Sequence, residues 1–294
     1  MNLPCVSRAQ AAFGTLLLAC STATAADELP LWEAGFGIAP ISFPEYRGAG
    51  TQRQFVLPLP YLVYRGEYLQ VDRGGLRGLL LDTQRFDVDL SLDGAVPVTS
   101  SDDSPRSGMP DLDPVLEGGL SISFLLAEGN RGRLRLRLPL RAATAVDLGS
   151  IHHVGWKANP QLHAETQEEP GRWSLGVATG PLFADRRYHS YYYGVAGKFA
   201  TPDRPAYQAS GGYSGWGVVA AASRRFERTW VGVFLRYDNL AGARFLDSPL
   251  VETRHAVMAG FGVARVFRQS RLRVPPQWSA FSTGGDSFPR LAAH

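Results

Sequence analysis

Arginine alternates with leucine in one short segment, and this spacing could place a row of positive charges on one surface. The segment Arg133–Leu138 reads Arg-Leu-Arg-Leu-Arg-Leu, and Arg141 keeps the same register after Pro139. Because side chains of a β-strand point alternately to opposite faces, one face of this strand is leucine and the other is mostly arginine. In a soluble sheet these faces would meet core and water, and in a membrane barrel they would meet lipid and a wet lumen.

Carboxylates follow the same period of two in other segments. Asp87, Asp89 and Asp93 alternate with apolar residues, and Glu117 holds an equivalent place between Pro114 and Phe124. Opposed acidic and basic rows on different walls of a pore would select solutes. In a narrow barrel they would instead pair and fill the lumen, and on a soluble sheet they would form a solvated face. The candidate lumen residues are Asp87, Asp89, Asp93, Glu117, Arg133, Arg135, Arg137 and Arg141.

One group of residues could support nucleophilic catalysis. Asp185, His189 and Ser190 lie close in sequence, and some outer-membrane barrels are lipid hydrolases. Catalysis needs a base within hydrogen-bond reach of its nucleophile and a third group that orients the base. Sequence proximity does not supply that geometry, and no Gly-x-Ser-x-Gly motif occurs. We therefore expect no enzymatic activity and keep a barrel lipid hydrolase as the less favoured alternative.

Other binding chemistries have little support in the sequence. The carboxylate pairs Asp102-Asp103 and Asp111/Asp113 fall short of the six or more oxygen ligands that calcium takes. The net charge of +3 is too small to indicate nucleic-acid binding. We expect no cofactor, no metal and no nucleic-acid partner.

The N-terminus has the features of a cleaved secretory signal over residues 1–25. Arg8 precedes a short apolar stretch at residues 11–19, and Ala23-Thr24-Ala25 supplies small residues for cleavage. An alternative is lipidation of Cys20, which follows Leu17-Leu18-Ala19. Cleavage after Ala25 would remove both cysteines of the chain, so we expect an exported mature protein without disulfides.

The rest of the chain predicts an all-β fold, a single antiparallel transmembrane β-barrel over residues 26–267. Several segments alternate apolar and polar residues, and we expect about 12 strands, within a range of roughly 10 to 14. No helix is expected between Trp32 and Phe267. Residues 268–294 are predicted to form a disordered, flexible C-terminal extension. The strand candidates are Trp32–Ala39, Phe55–Tyr64, Glu67–Asp72, Arg85–Leu92, Pro114–Phe124, Arg133–Arg141, Val154–Thr166, Trp173–Gly180, Trp216–Phe226, Arg228–Asn239 and Thr253–Phe267.

Short segments spread along the chain carry a family resemblance. In chain order they are Phe43–Gly48, Leu57–Tyr61, Tyr64–Gly66, Gly108–Asp113, Glu117–Gly119, Tyr191–Val195, Arg204–Tyr207, Asn239–Ala243 and Ser248–Val251. On these segments the chain resembles the MipA/OmpV family, although Ala49 stands where that family usually has serine.

The resemblance implies an outer-membrane barrel of a Gram-negative envelope and a scaffolding role. In that role a family member bridges a lytic transglycosylase and a bifunctional murein synthase on the periplasmic side. The family supplies no catalytic residues to transfer. We therefore expect a non-catalytic scaffold in contact with outer-membrane lipid, with a narrow channel for small solutes as the alternative. The arginines after Phe267, which are Arg268, Arg271, Arg273 and Arg290, would suit an acidic partner surface, and the default alternative is a solvated tail without a partner.

Overall fold

The computed structural model describes residues 28–72, 75–83, 85–95, 105–147, 150–169 and 171–275. The predicted signal segment 1–25 and residues 276–294 lie outside this part of the chain. The helices are α1 (Arg186–Tyr193) and a 3₁₀ turn at Gly197–Phe199. The strands are β1 (Leu29–Pro30), β2 (Trp32–Pro44), β3 (Gln52–Arg65), β4 (Leu69–Asp72), β5 (Gly75–Asp82), β6 (Phe86–Ala95), β7 (Val115–Glu128), β8 (Gly132–Asp147), β9 (Ser150–Ala158), β10 (Gln161–Thr166), β11 (Trp173–Ala184), β12 (Gly212–Phe226), β13 (Thr229–Asn239), β14 (His255–Gln269) and β15 (Arg273–Val274).

Strands β2 to β14 form one closed antiparallel barrel. Each strand pairs with its neighbours in sequence, and β14 pairs with β2 to complete the ring. The strands β9 and β10 are two halves of one barrel strand, since both pair with β8. Pro160, which has no N–H to donate, lies at the break between them. The barrel therefore has twelve strands, and the predicted fold class is confirmed.

Two elements between Trp32 and Phe267 differ from the sequence expectation. Strand β5 matches none of the strand candidates, because a bulge lies between Leu79 and Leu81 and the run of three leucines breaks the alternation. The helix α1 contradicts the expectation that no helix occurs between Trp32 and Phe267. It lies in a long connection outside the barrel wall, where strand periodicity gives no information. Among the described residues, no helix has the length and apolarity that crossing a membrane requires.

The outer face of the barrel is apolar along most of its wall. Leucines and other large apolar side chains at alternate strand positions remain exposed, including Leu116, Leu120, Ile122, Leu138, Leu140, Leu175, Val233 and Leu235. The residues that alternate with them are small or polar and face the interior. A barrel with this exterior buries its apolar side chains only when hydrocarbon surrounds it.

The two ends of the barrel differ in the length of their connections. The described residues 105–114 and the connections 185–211 and 240–254 lie at one end together with 45–51, and we call this the loop end. The opposite end carries the tight turns, and we call it the turn end. Strand β1 pairs with β15 there, so Leu29 and Val274 are neighbours.

The start of the predicted flexible extension has regular structure. Strand β14 continues through Arg268 to Gln269, and Arg273–Val274 form β15. Ser270 is held by a hydrogen bond from its backbone N–H to the carbonyl of Trp32. Residues 268–275 are therefore attached to the turn end of the barrel.

Candidate functional site

Four of the residues predicted for the lumen form two ion pairs with one another, from β8 across β7 to β6. Arg137 Nη2 lies 3.2 Å from Asp89 Oδ2, and Arg135 Nη1 lies 2.5 Å from Asp87 Oδ2. Strand β7 separates β6 from β8, and it presents Ser121 towards the lumen between the two rows. Because serine is small, the arginine side chains of β8 extend across β7 to the carboxylates of β6.

Two further ion pairs connect the same wall to the strand formed by β9 and β10. Lys157 Nζ lies 2.7 Å from Glu117 Oε2, and Arg133 Nε lies 2.5 Å from Glu165 Oε1. Arg141 is also buried on this face. The rows thus run along one wall from β6 to β10, and the expected placement of acid and base on different walls is not what the structure shows.

One of the predicted lumen residues has no described side chain. Asp93 belongs to β6 and pairs through its backbone with Glu117 of β7. Its side chain lies outside the described part of the structure.

A second charged cluster lies at the turn end, and the sequence did not predict it. Glu33 contacts Arg65 at 3.1 Å and Arg225 at 2.8 Å, and Arg65 also contacts Glu168 at 3.3 Å. Arg65 donates a further hydrogen bond to the carbonyl of Pro30 at 2.8 Å. These residues come from four distant parts of the chain, so no local spacing predicts their contact. The cluster joins the start of β2 to the ends of β3 and β12 and to the turn after β10.

The connections at the loop end fold against each other as an apolar cluster that we call the loop cap. Its buried residues are Tyr46, Ala49, Leu112, Tyr193, Val195, Ala209, Leu240, Ala243, Phe245 and Leu250. The rings of Tyr193 and Phe245 stack with their centroids 3.7 Å apart. The hydroxyl of Tyr46 donates to the carbonyl of Leu250 at 2.7 Å, and burial raises the pKa of Tyr46 above its ordinary value. The cap therefore joins the loop after β2 to the loop after β13.

Most of the segments that carry the family resemblance meet in this cap. They contribute Tyr46, Leu112, Tyr193, Leu240 and Leu250, which come from four connections, because the last two both lie in 240–254. The segments in β3 and β7 are exceptions, because they belong to the barrel wall. Most of the segments shared with the family thus contribute to the loop cap.

Helix α1 places a histidine under the cap. Asp185 begins the helix, and its side chain accepts a hydrogen bond from the N–H of Tyr188 at 2.8 Å. His189 is fully buried, with Nδ1 2.6 Å from the carbonyl oxygen of Ser210 and Nε2 2.7 Å from Oγ of Ser214. Because a carbonyl only accepts, Nδ1 of the neutral ring carries the proton and Nε2 accepts from Ser214. Burial lowers the pKa of His189 below 6.5, which favours this neutral form.

The predicted grouping of Asp185, His189 and Ser190 is not assembled as a triad. Ser190 is exposed on α1, and the side-chain partner of His189 is Ser214 of β12. Asp185 caps the helix through Tyr188. The sequence identified the histidine but not its serine, which lies 25 residues further along the chain.

A cavity of about 70 Å³ lies beneath the cap and reaches the upper lumen. His189, Ser214, Arg47 and Asp238 all contribute to its lining, together with the stacked rings of the cap. Arg47 Nη2 donates to the backbone carbonyl of Ser214 at 2.9 Å, and Arg47 Nε lies 3.5 Å from Asp238 Oδ2. A cation is thereby held beside the serine.

The fold and these sites define the class of protein. A closed antiparallel barrel with an apolar exterior and a charged interior satisfies all of its strand hydrogen bonds within a bilayer. The protein is an outer-membrane β-barrel.

The comparisons with known proteins give the family. The sequence matches the family described as "MltA-interacting protein MipA" over residues 36–267. This chain belongs to that family, and the predicted MipA/OmpV membership is confirmed. The chain is 33% identical over 101 residues to "Outer membrane protein OmpV" of Vibrio cholerae serotype O1, strain ATCC 39315 / El Tor Inaba N16961. That match covers 32% of this chain and 38% of the Vibrio protein.

Solved structures with a related outline are distant in sequence. A bacterial polysaccharide outer membrane secretin aligns with 80% of this chain and 99% of its own, at 9% identity and a TM-score of 0.41. The CymD monoaromatic hydrocarbon channel aligns with 82% of this chain and 89% of its own, at 12% identity and a TM-score of 0.35.

Proposed function

We propose that this protein is an outer-membrane scaffold that recruits murein-processing enzymes at its turn end. The partners would be a lytic transglycosylase and a bifunctional murein synthase. The family description as an MltA-interacting protein supports a protein partner. Short turns of outer-membrane barrels face the periplasm, so the turn end would face the cell wall.

The observation that carries this proposal is a basic segment fixed to the turn end. Arg268, Arg271 and Arg273 are all exposed there, and the pairing of β1 with β15 holds the segment against the barrel. Arginine presents a rigid fork of donors that suits carboxylates on a partner surface. Such a segment would recruit an acidic periplasmic surface without a chemical step.

The lumen favours a scaffold over a narrow channel. Arg137 and Asp89 are paired and buried within the barrel, and Arg135 and Asp87 lie beside them. Side chains fill much of the interior in barrels of small strand number. A protein of this kind acts through its surfaces at the two ends.

Affinity capture from the envelope tests the recruitment. The full-length mature protein, refolded in detergent, would be immobilised and exposed to a detergent extract of its own envelope. We expect mass spectrometry to identify a lytic transglycosylase or murein synthase among the retained proteins, and we expect R271E/R273E to lose it. The matched control R187E/R254E reverses two exposed arginines at the loop end and should retain the partner. The proposal would be contradicted if the wild-type protein retained no more of these enzymes than an unrelated barrel does.

A further inference from the structure

Ser214 occupies an irregular position at the start of β12. In the pairing with β11, Leu182 lies opposite Gly215 and Phe183 lies opposite Tyr213, so Ser214 is the extra residue of a bulge. Bulges redirect a side chain and are frequent beside active sites. Two glycines with positive φ flank the serine, Gly212 at 130° and Gly215 at 108°. A Cβ on Gly215 would lie 2.5 Å from the backbone oxygen of Asn239, so glycine is required for this turn.

The bulge aims the hydroxyl of Ser214 at a base that is already oriented. Oγ lies 2.7 Å from Nε2 of His189, and the carbonyl of Ser210 accepts from Nδ1 of the same ring at 2.6 Å. This geometry fulfils the requirement for a nucleophile within hydrogen-bond reach of a base that a third group orients. The carbonyl takes the place of the carboxylate that usually fixes the tautomer.

The surroundings of the pair suit a reaction that develops negative charge. Ser214 and His189 both line the cavity beneath the loop cap. Arg47 lies beside them, with Nη2 2.9 Å from the carbonyl of Ser214. A fixed positive charge near a buried reaction centre stabilises an oxyanion more strongly than it would in water. The cavity has a volume of only about 70 Å³, so we expect it to favour a short acyl group over a long one.

We propose that Ser214 is a nucleophile activated by His189 and that this cavity hydrolyses esters of short carboxylic acids. Oγ of Ser214 attacks the ester carbonyl carbon while its proton passes to Nε2 of His189. The tetrahedral oxyanion collapses, the bond to the alcohol oxygen breaks, and His189 returns the proton to the departing alcohol. Water then attacks the acyl-serine with His189 again accepting the proton, which releases the acid and restores the Ser214 hydroxyl.

This inference is independent of the scaffold proposal, because the two sites lie at opposite ends of the barrel. The loop end would face the exterior, so the ester would come from outside the cell. Burial lowers the pKa of His189, which favours the neutral ring that can accept the proton of Ser214. Arg47 lowers the pKa in the same direction, whereas the carbonyl of Ser210 and the charge of Asp185 oppose the shift.

Covalent labelling of the refolded full-length protein tests the proposal. The probes are a fluorophosphonate with short alkyl groups and 4-nitrophenyl acetate, with 4-nitrophenyl decanoate as the long-chain comparison. We expect a phosphonyl adduct on Ser214, located by mass spectrometry, and turnover of the acetate faster than the decanoate. S214A should abolish both, and H189Q should lower the labelling rate by at least about 100-fold.

The neighbouring serine provides the control. Ser190 is exposed and is not the serine that His189 holds, so S190A should label and turn over acetate at the wild-type rate. The shift in gel mobility on heating shows for each variant that the barrel is folded. A folded wild-type protein that gives no Ser214 adduct and no turnover of the acetate would overturn the proposal. Labelling unaffected by S214A would overturn it as well, and the pair would then only join α1 to β12.

Discussion

Arg137 of β8 reaches across β7 and pairs with Asp89 of β6 inside the barrel. Nη2 of the arginine lies 3.2 Å from Oδ2 of the aspartate, and the arginine also donates to the hydroxyl of Ser121 at 3.4 Å. Asp89 is fully inaccessible to solvent. A charge in such a place is tolerated because its partner is held by the register of three consecutive strands.

Breaking this pair should destabilise the barrel. In D89A the guanidinium of Arg137 loses its carboxylate while it stays buried, and removal of one partner of a buried pair costs about 3–5 kcal/mol. Unfolding of the refolded protein in urea, followed by tryptophan fluorescence, measures the change. The double variant D89L/R137M removes both charges and should recover most of the loss. A D89A protein as stable as the wild type would show that water screens the pair.

The paired charges along the lumen wall lead us to expect that the wild-type protein is silent in planar bilayers. The charged side chains of Asp87, Asp89, Arg135 and Arg137 occupy the interior of one wall, and D87A/D89A/R135A/R137A removes them as two complete pairs. We expect this variant to show discrete conductance steps. The control L120A/L140A alters only exposed outer-face positions and should stay silent. Discrete steps from the wild type would instead favour the channel.

The loop cap should open locally when its central ring is removed. Phe245 is fully buried and stacks on Tyr193, and truncation of a buried phenylalanine to alanine costs about 3–5 kcal/mol. Local opening exposes loops to protease. We therefore expect F245A to be cleaved within residues 185–211 at least about 100-fold faster, with the barrel fragment still resistant. V233A, a truncation on the exposed outer face, should be cleaved like the wild type.

The cap should also weaken in acid through His189. Burial lowers the pKa of this histidine in the folded protein, so the unfolded loop binds the proton more readily than the folded cap. The stabilisation is complete above about pH 6.5 and is lost as the pH falls towards the lowered pKa. Protease cleavage of residues 185–211 should accelerate between pH 7.5 and pH 5. The ratio of the cleavage rate at pH 5 to that at pH 7.5 should be smaller in H189Q, because glutamine does not titrate. A ratio equal to that of the wild type would assign the acid sensitivity to other groups.

The sequence predicted the barrel wall well because one physical rule governs most of it. Alternation placed Asp87 and Asp89 on one face and Phe86 and Leu90 on the other, and the structure has the carboxylates inside and the apolar residues exposed. The rule failed at β5, where a bulge adds a residue and ends the alternation after Leu79. A sequence pattern of period two does not indicate where the extra residue of a bulge lies.

The sites at the two ends of the barrel could not be predicted from the sequence, and the reason differs from the one at β5. The contact between Tyr46 and Leu250 joins residues 204 positions apart, and Arg225 lies 192 positions from Glu33. The sequence grouped His189 with Ser190 and not with Ser214, because the bulge that presents Ser214 depends on the register between β11 and β12. Closure of the barrel through β14 and β2 brings the first two pairs together, and the bulge in β12 brings the third, so none of the three contacts has a local signal.

The most direct test of the scaffold role is to measure equilibrium binding of a purified periplasmic lytic transglycosylase to the full-length barrel in lipid nanodiscs. We predict saturable binding that weakens with added salt and falls at least about tenfold in R271E/R273E, because exposed charges are screened by ions. The control R187E/R254E should bind like the wild type. The absence of saturable binding to the wild type, or equal binding by R271E/R273E, would contradict recruitment through the basic segment at the turn end.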